Sequence, residues 1–157
     1  MILHFPKASH YQACRTNVPL LDDLLGFWEE QRGNAAAPSA DSLFISDYSR
    51  EMPHLMLGYL VKDGFRVEFT GEVVRHLVGC DIIGEHLSPD TTHPVLVDMA
   101  RDPYMAHHHF APQVTRHEDH IALHLPYANA RGEIAMIMSA MWEVGPATEA
   151  EIVPFSN

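Results

Sequence analysis

The chain has 157 residues, 46% of them hydrophobic and 20% charged, the size and balance of about one folded domain with room for its own core. A formal net charge of −11 argues against a nucleic-acid surface, which needs clustered Lys and Arg to meet phosphates. Twelve histidines would take that charge from −11 to +1 if all were protonated, so the surface potential is expected to respond to mild acid.

The two cysteines, Cys14 and Cys80, form no CxxC, which fits reduced thiols and a cytoplasmic location. No apolar run approaches the roughly 20 residues of a membrane span, and the first residues lack the pattern of a signal peptide. Residues 1–17 read as an irregular N-terminus. Val18 to Arg32 reads as a helix with Asn17 as a candidate cap, closed by Gly33-Asn34. Leu20, Leu21, Leu24, Leu25, Phe27 and Trp28 crowd one broad face. Such a helix either covers an open sheet face or pairs with a second copy, and we take Leu20, Leu21, Leu24, Phe27 and Trp28 as a candidate dimer interface. Ala35 to Ser42 is a small-residue linker. A short helix capped by Ser46 or Asp47 is expected to run to Met52 and stop at Pro53. Residues 18–52 thus form a flanking region, and 53–145 the core.

Within the core, His54 to Lys62 reads as a strand, Asp63-Gly64 as a tight turn, and Phe65 to Thr70 as a second strand. In the second strand, Phe65, Val67 and Phe69 are expected to point one way and Arg66, Glu68 and Thr70 the other. After Gly71, Val73, Val74, Leu77 and Val78 fall at helical spacing, with Gly79 as the C-terminal glycine. Asp81 to Thr92 reads as loop. His93 to about His107 carries a helical pattern through Val95, Leu96 and Met99, interrupted at Pro103. Phe110 to Arg116 is a weak strand. Glu118 to Tyr127 is a stronger one, with Ile121, Leu123, Leu125 and Tyr127 on one side and His120, Ala122 and His124 on the other. Glu133 to Val144 is apolar almost throughout, the mark of a central strand buried on both faces. The acidic tail, residues 146–157, is expected to be loosely held.

Several segments resemble the PAS (Per-Arnt-Sim) sensor domain, closest to bacterial proteins made of little more than one such domain. They are Leu25 to Gly33, the Met52-Pro53-His54-Leu55 step, Phe65 to Gly71, Gly79-Cys80-Asp81-Ile82-Ile83-Gly84, Leu125-Pro126-Tyr127 and Gly132-Glu133-Ile134. The resemblance spans roughly residues 20 to 145 and rests on the order of the pieces. It implies an α+β fold: a five-stranded antiparallel sheet interrupted after its second strand by helices lying across one face. It further implies sensing or protein interaction and supplies no catalytic set. A pocket between sheet and helix would be lined by Phe69, His76, Val95, Met99, Met136 and Met138, or alternatively by Ile137, Ser139 and Met141.

The residues with chemistry of their own are few. His107-His108-His109 stands out, and His107, His109, His117 and His120 form the alternative reading, a metal or haem site. Convergence of three or four ligands is what such a site needs. His120 and His124 are four apart on a strand, roughly 13 Å at the usual rise, so exposed strand and loop histidines are the simpler reading. Asp98 and Asp102 at helical i, i+4 spacing read as a solvated acidic face. Cys80 beside Asp81 is a poor nucleophile, because a neighbouring carboxylate raises a thiol pKa. GxSxG, GxxxxGK, GxGxxG and HExxH are all absent. We therefore expect a non-enzymatic sensory or interaction module, homodimeric, signalling through a partner protein. No cofactor is expected, though an unidentified small-molecule ligand fits the pocket.

Overall fold

The computed structural model describes residues 16–62, 64–88, 90–91 and 111–145. The helical pattern from His93 to His107, the Pro103 break, His107-His108-His109, Val95, Met99, Asp98, Asp102, Cys14 and the tail lie outside them.

Helix α1 (Pro19–Arg32) leads the described chain. Proline at its first position needs no N–H partner. Asn17 does not act as the cap: its φ is +65°, and the terminus is instead closed from inside the helix. The Asp22 carboxylate accepts from the Thr16 and Asn17 backbone amides at 2.8 and 3.1 Å and from the Thr16 hydroxyl at 2.8 Å. Leu21, Leu24, Leu25 and Trp28 are buried against the rest of the chain, each contributing roughly 1.5–3 kcal/mol.

Three short 3-10 helices follow at Ala40–Ser42, Ile45–Tyr48 and Met52–His54. The single short helix expected up to Met52 is therefore two, and Pro53 sits inside the second of them rather than ending the first. Neither Ser46 nor Asp47 caps a helix: the cap position of Ile45–Tyr48 is Phe44, with no side-chain bond.

The sheet contains β1 (Leu55–Val61), β2 (Gly64–Thr70), β3 (His86–Leu87), β4 (Gln113–Arg116), β5 (His120–Ala128) and β6 (Ile134–Glu143). All neighbours run antiparallel, in the order β3-β2-β1-β6-β5-β4. The first hairpin and the last three strands join through β1 and β6 at the centre, which is the PAS-type arrangement. Among the described residues there are six strands rather than five. The extra one, β3, lies where a loop is expected, and it pairs Leu87 with Phe65 and His86 with Arg66. Helix α2 (Glu72–Val78) follows β2 and ends on Gly79 at φ +92°, whose N–H donates to Arg75 O.

In β2, the register against β1 slips between Leu57↔Phe69 and Gly58↔Val67. Glu68 is the extra residue of a bulge. Phe69 therefore shares a face with Leu57, while Phe65 and Val67 share the opposite face with Gly58, which corrects the single-face reading of the three. Strand β5 is buried on both sides: His120 and His124 are 4% and 1% exposed, not solvent-facing. Beyond His124 the β4 pairing stops, and the unpaired edge is completed by other elements. Trp28 Nε1 donates to Pro126 O at 2.8 Å, Ala128 N donates to Pro38 O at 2.8 Å, and Ser39 bridges Ala128. The Ala35–Ser42 segment is thus pinned to the sheet edge and is not a free linker.

Candidate functional site

Residues paired across neighbouring strands project to the same sheet face. The registers place Thr70, Met56, Ser139, His124 and Gln113 in one transverse row across β2, β1, β6, β5 and β4. Thr70, Ser139 and His124 are at most 1% exposed, so three polar side chains of this row lie buried. The row falls on the face of Ile137, Ser139 and Met141, the alternative lining of the last strand.

His124 Nδ1 and Ser139 Oγ share a hydrogen bond of 2.7 Å that fixes the ring. The other ring nitrogen, Nε2, is buried with no partner, as is the Thr70 hydroxyl. Buried polar atoms are nearly always hydrogen-bonded, and one left unmade costs about 1–3 kcal/mol. Burial first, then the positive potential of His117 and His120, pushes the His124 pKa down to about 3. The ring is therefore neutral at physiological pH, able to offer either one N–H or one lone pair at Nε2.

A second imidazole group lies along β5. His120 Nδ1–H donates to Asp119 Oδ1 at 2.7 Å, and its ring stacks on His117 with centroids 4.4 Å apart. His120 Nε2 is also buried without a partner. The hydrogen bond to His120 holds the Asp119 carboxyl below its ordinary range. Among the described residues, no three His, Cys, Asp or Glu side chains converge as a metal site would require. His117 and His120 of the alternative metal set lie face to face, and His107 and His109 are outside the described residues.

The other expected site residues are dispersed. His76 is exposed on α2 and reaches Glu143 Oε2 at 3.2 Å. Phe69 is half-buried on the face opposite Val67. Met136 and Met138 are buried in the core, in register with Tyr127 and Leu125. Of the candidate dimer residues, Leu21, Leu24 and Trp28 are at most 3% exposed within their own chain. Helix α1 thus takes the sheet-covering role, and only Phe27 and half-buried Leu20 face outward. Cys80 is an exposed free thiol just after α2.

His124 and Thr70 are the residues that sequence reasoning passed over. From sequence Thr70 reads as one polar position on a strand face, and His124 as one more exposed histidine. The available signal was an imidazole inside an apolar run, His120 to Ala128.

No family model matches the chain and no curated protein is similar to it. Among solved structures it is similar to a light-oxygen-voltage domain studied with a flavin analogue, at 9% identity and a TM-score of 0.45, covering 71% of this chain and 90% of that one. It is also similar to the light-state structure of the LOV domain of the blue-light photoreceptor Aureochrome1, at 12% identity and a TM-score of 0.41, covering 73% and 97%. Among the described residues no helix is long and apolar enough to cross a membrane. The fold is assigned on strand order: a hairpin and a three-strand unit, joined through the first and last strands, form one PAS-type sheet.

Proposed function

We propose that this chain is a non-catalytic PAS-type sensory module that holds a small molecule against the Thr70–Ser139–His124 row and reports its presence to a partner protein. The observation that carries this reading is His124 Nε2, buried and unpartnered on a ring held in place from behind by Ser139. A ligand group that completes this bond relieves an unmade interaction, so it binds one packing of the sheet better than others and shifts the population toward it. Helix α1 is the element suited to relay the change, because Trp28 ties it directly to β5 through Pro126. Its outward residues, Leu20 and Phe27, are the contacts offered to a partner or a second copy.

The test is native mass spectrometry of gently purified protein, alongside His124→Leu and Ser139→Ala. A co-purifying small molecule that is lost in both variants supports the reading. Protein of unadorned mass, with His124 ring signals unchanged by cell extract in NMR spectra, overturns it.

A further inference from the structure

A surface cavity of about 310 Å³ lies apart from the His124 ring, between the Met52–His54 turn, the end of β2 and the start of α2. Met52, Pro53 and Phe69 supply its apolar wall, and Ser49, Thr70, Glu72 and Arg75 its polar groups. Its floor is close-packed: a Cβ at Gly71 would lie 2.1 Å from Met52 O and 2.4 Å from Pro53 O.

Arg75 Nη1 donates to Thr70 O at 2.6 Å. That bond sets the guanidinium at the cavity while using only one of its five N–H donors. Among the described residues Arg75 makes no ion pair, Glu72 one turn away included. Thr70, whose carbonyl holds that guanidinium, is itself among the residues lining the cavity. We infer that this cavity binds a small monocarboxylate with a compact apolar body. The carboxylate accepts from the remaining Arg75 donors in the planar fork that guanidinium presents, and the apolar body lies on Phe69, Met52 and Pro53. Glu72 opposes an anion there, so the site favours one carboxylate over more highly charged acids, in keeping with a chain of net charge −11.

The inference shares Thr70 with the buried row but makes no use of His124, and is tested on the full chain by backbone NMR titration with phenylacetate and with 2-phenylacetamide, its neutral isostere. Phenylacetate is expected to give saturable shifts at residues 69–75 and the amide none. Arg75→Gln should weaken phenylacetate binding by about tenfold or more, the effect of losing a charge-assisted hydrogen bond. Glu72→Gln should tighten it about threefold. Both side chains are exposed, so matched melting temperatures will show that the variants remain folded. Equal binding of the amide, unchanged affinity in Arg75→Gln, or no saturable shift at residues 69–75 overturns the proposal.

Discussion

At the scale of single residues, the buried polar groups make the sharpest predictions. A histidine whose folded pKa is about 3 against an ordinary 6.5 takes up its proton only on unfolding. The unfolded chain then binds more protons between those values, so stability is full above pH 6.5 and falls as the pH drops toward 3. The slope is roughly 1 kcal/mol per pH unit. Urea midpoints measured from pH 7 to 4.5 should show it, and His124→Leu should flatten it; an unchanged slope would assign the acid sensitivity to other groups. Tyr127 makes a different case. Burial, foremost, and then Tyr48 push its phenol well above the ordinary range. The two phenols influence each other, yet neither hydroxyl makes a well-formed hydrogen bond. Tyr127→Phe removes one orphaned hydroxyl at nearly constant shape and is expected to leave stability equal or raise it by about 1 kcal/mol. A loss above that amount in chemical denaturation would mean that the hydroxyl is satisfied in solution.

At the scale of elements, junctions matter more than propensities. Gly71 joins β2 to α2 at ordinary φ, so its requirement is space: the carbonyls of Met52 and Pro53 occupy the place of a side chain. Gly79 closes α2 at φ +92° with nothing near its missing Cβ, so its requirement is backbone conformation. Gly71→Ala is therefore expected to cost about 3 kcal/mol or more, because rigid backbone must move, and Gly79→Ala only about 1–2 kcal/mol. Thermal denaturation of the pair separates the two causes, and equal losses would contradict them. The bulge at Glu68 is another junction. Strict alternation puts Phe65, Val67 and Phe69 together, but one unpaired residue turns Phe69 to the other face.

At the scale of the whole molecule, α1 and the segment after it complete the sheet rather than decorate it. Leu21, Leu24, Leu25 and Trp28 belong to the same core as Leu123, Leu125, Met136 and Met138, and the β5 edge depends on Trp28 and Pro38 for its partners. Deleting residues 1–33 should therefore not yield a well-folded monomer. The expected product has lost its near-ultraviolet circular dichroism and binds ANS, the marks of lost side-chain packing. A truncated protein with native near-ultraviolet dichroism would return the helix to the role of a detachable dimerisation arm.

Much of this architecture is legible in the chain itself. Periodicity marks α1, α2 and the long strands, glycine marks the turns, and the apolar run from Ile134 to Met141, interrupted at Ser139, marks the centre of the sheet. Those signals are local, because each depends on neighbours within a turn or a pleat. What the tertiary structure alone decided is set by residues far apart in sequence. The two residues of β3 are a strand only because β2 offers an edge. The helix face that could have met a second copy is buried because β5 needed cover. His124, Thr70 and Ser139 form one row only because three separate registers align them. Burial and register are properties of the assembled sheet, and no stretch of the chain carries them by itself.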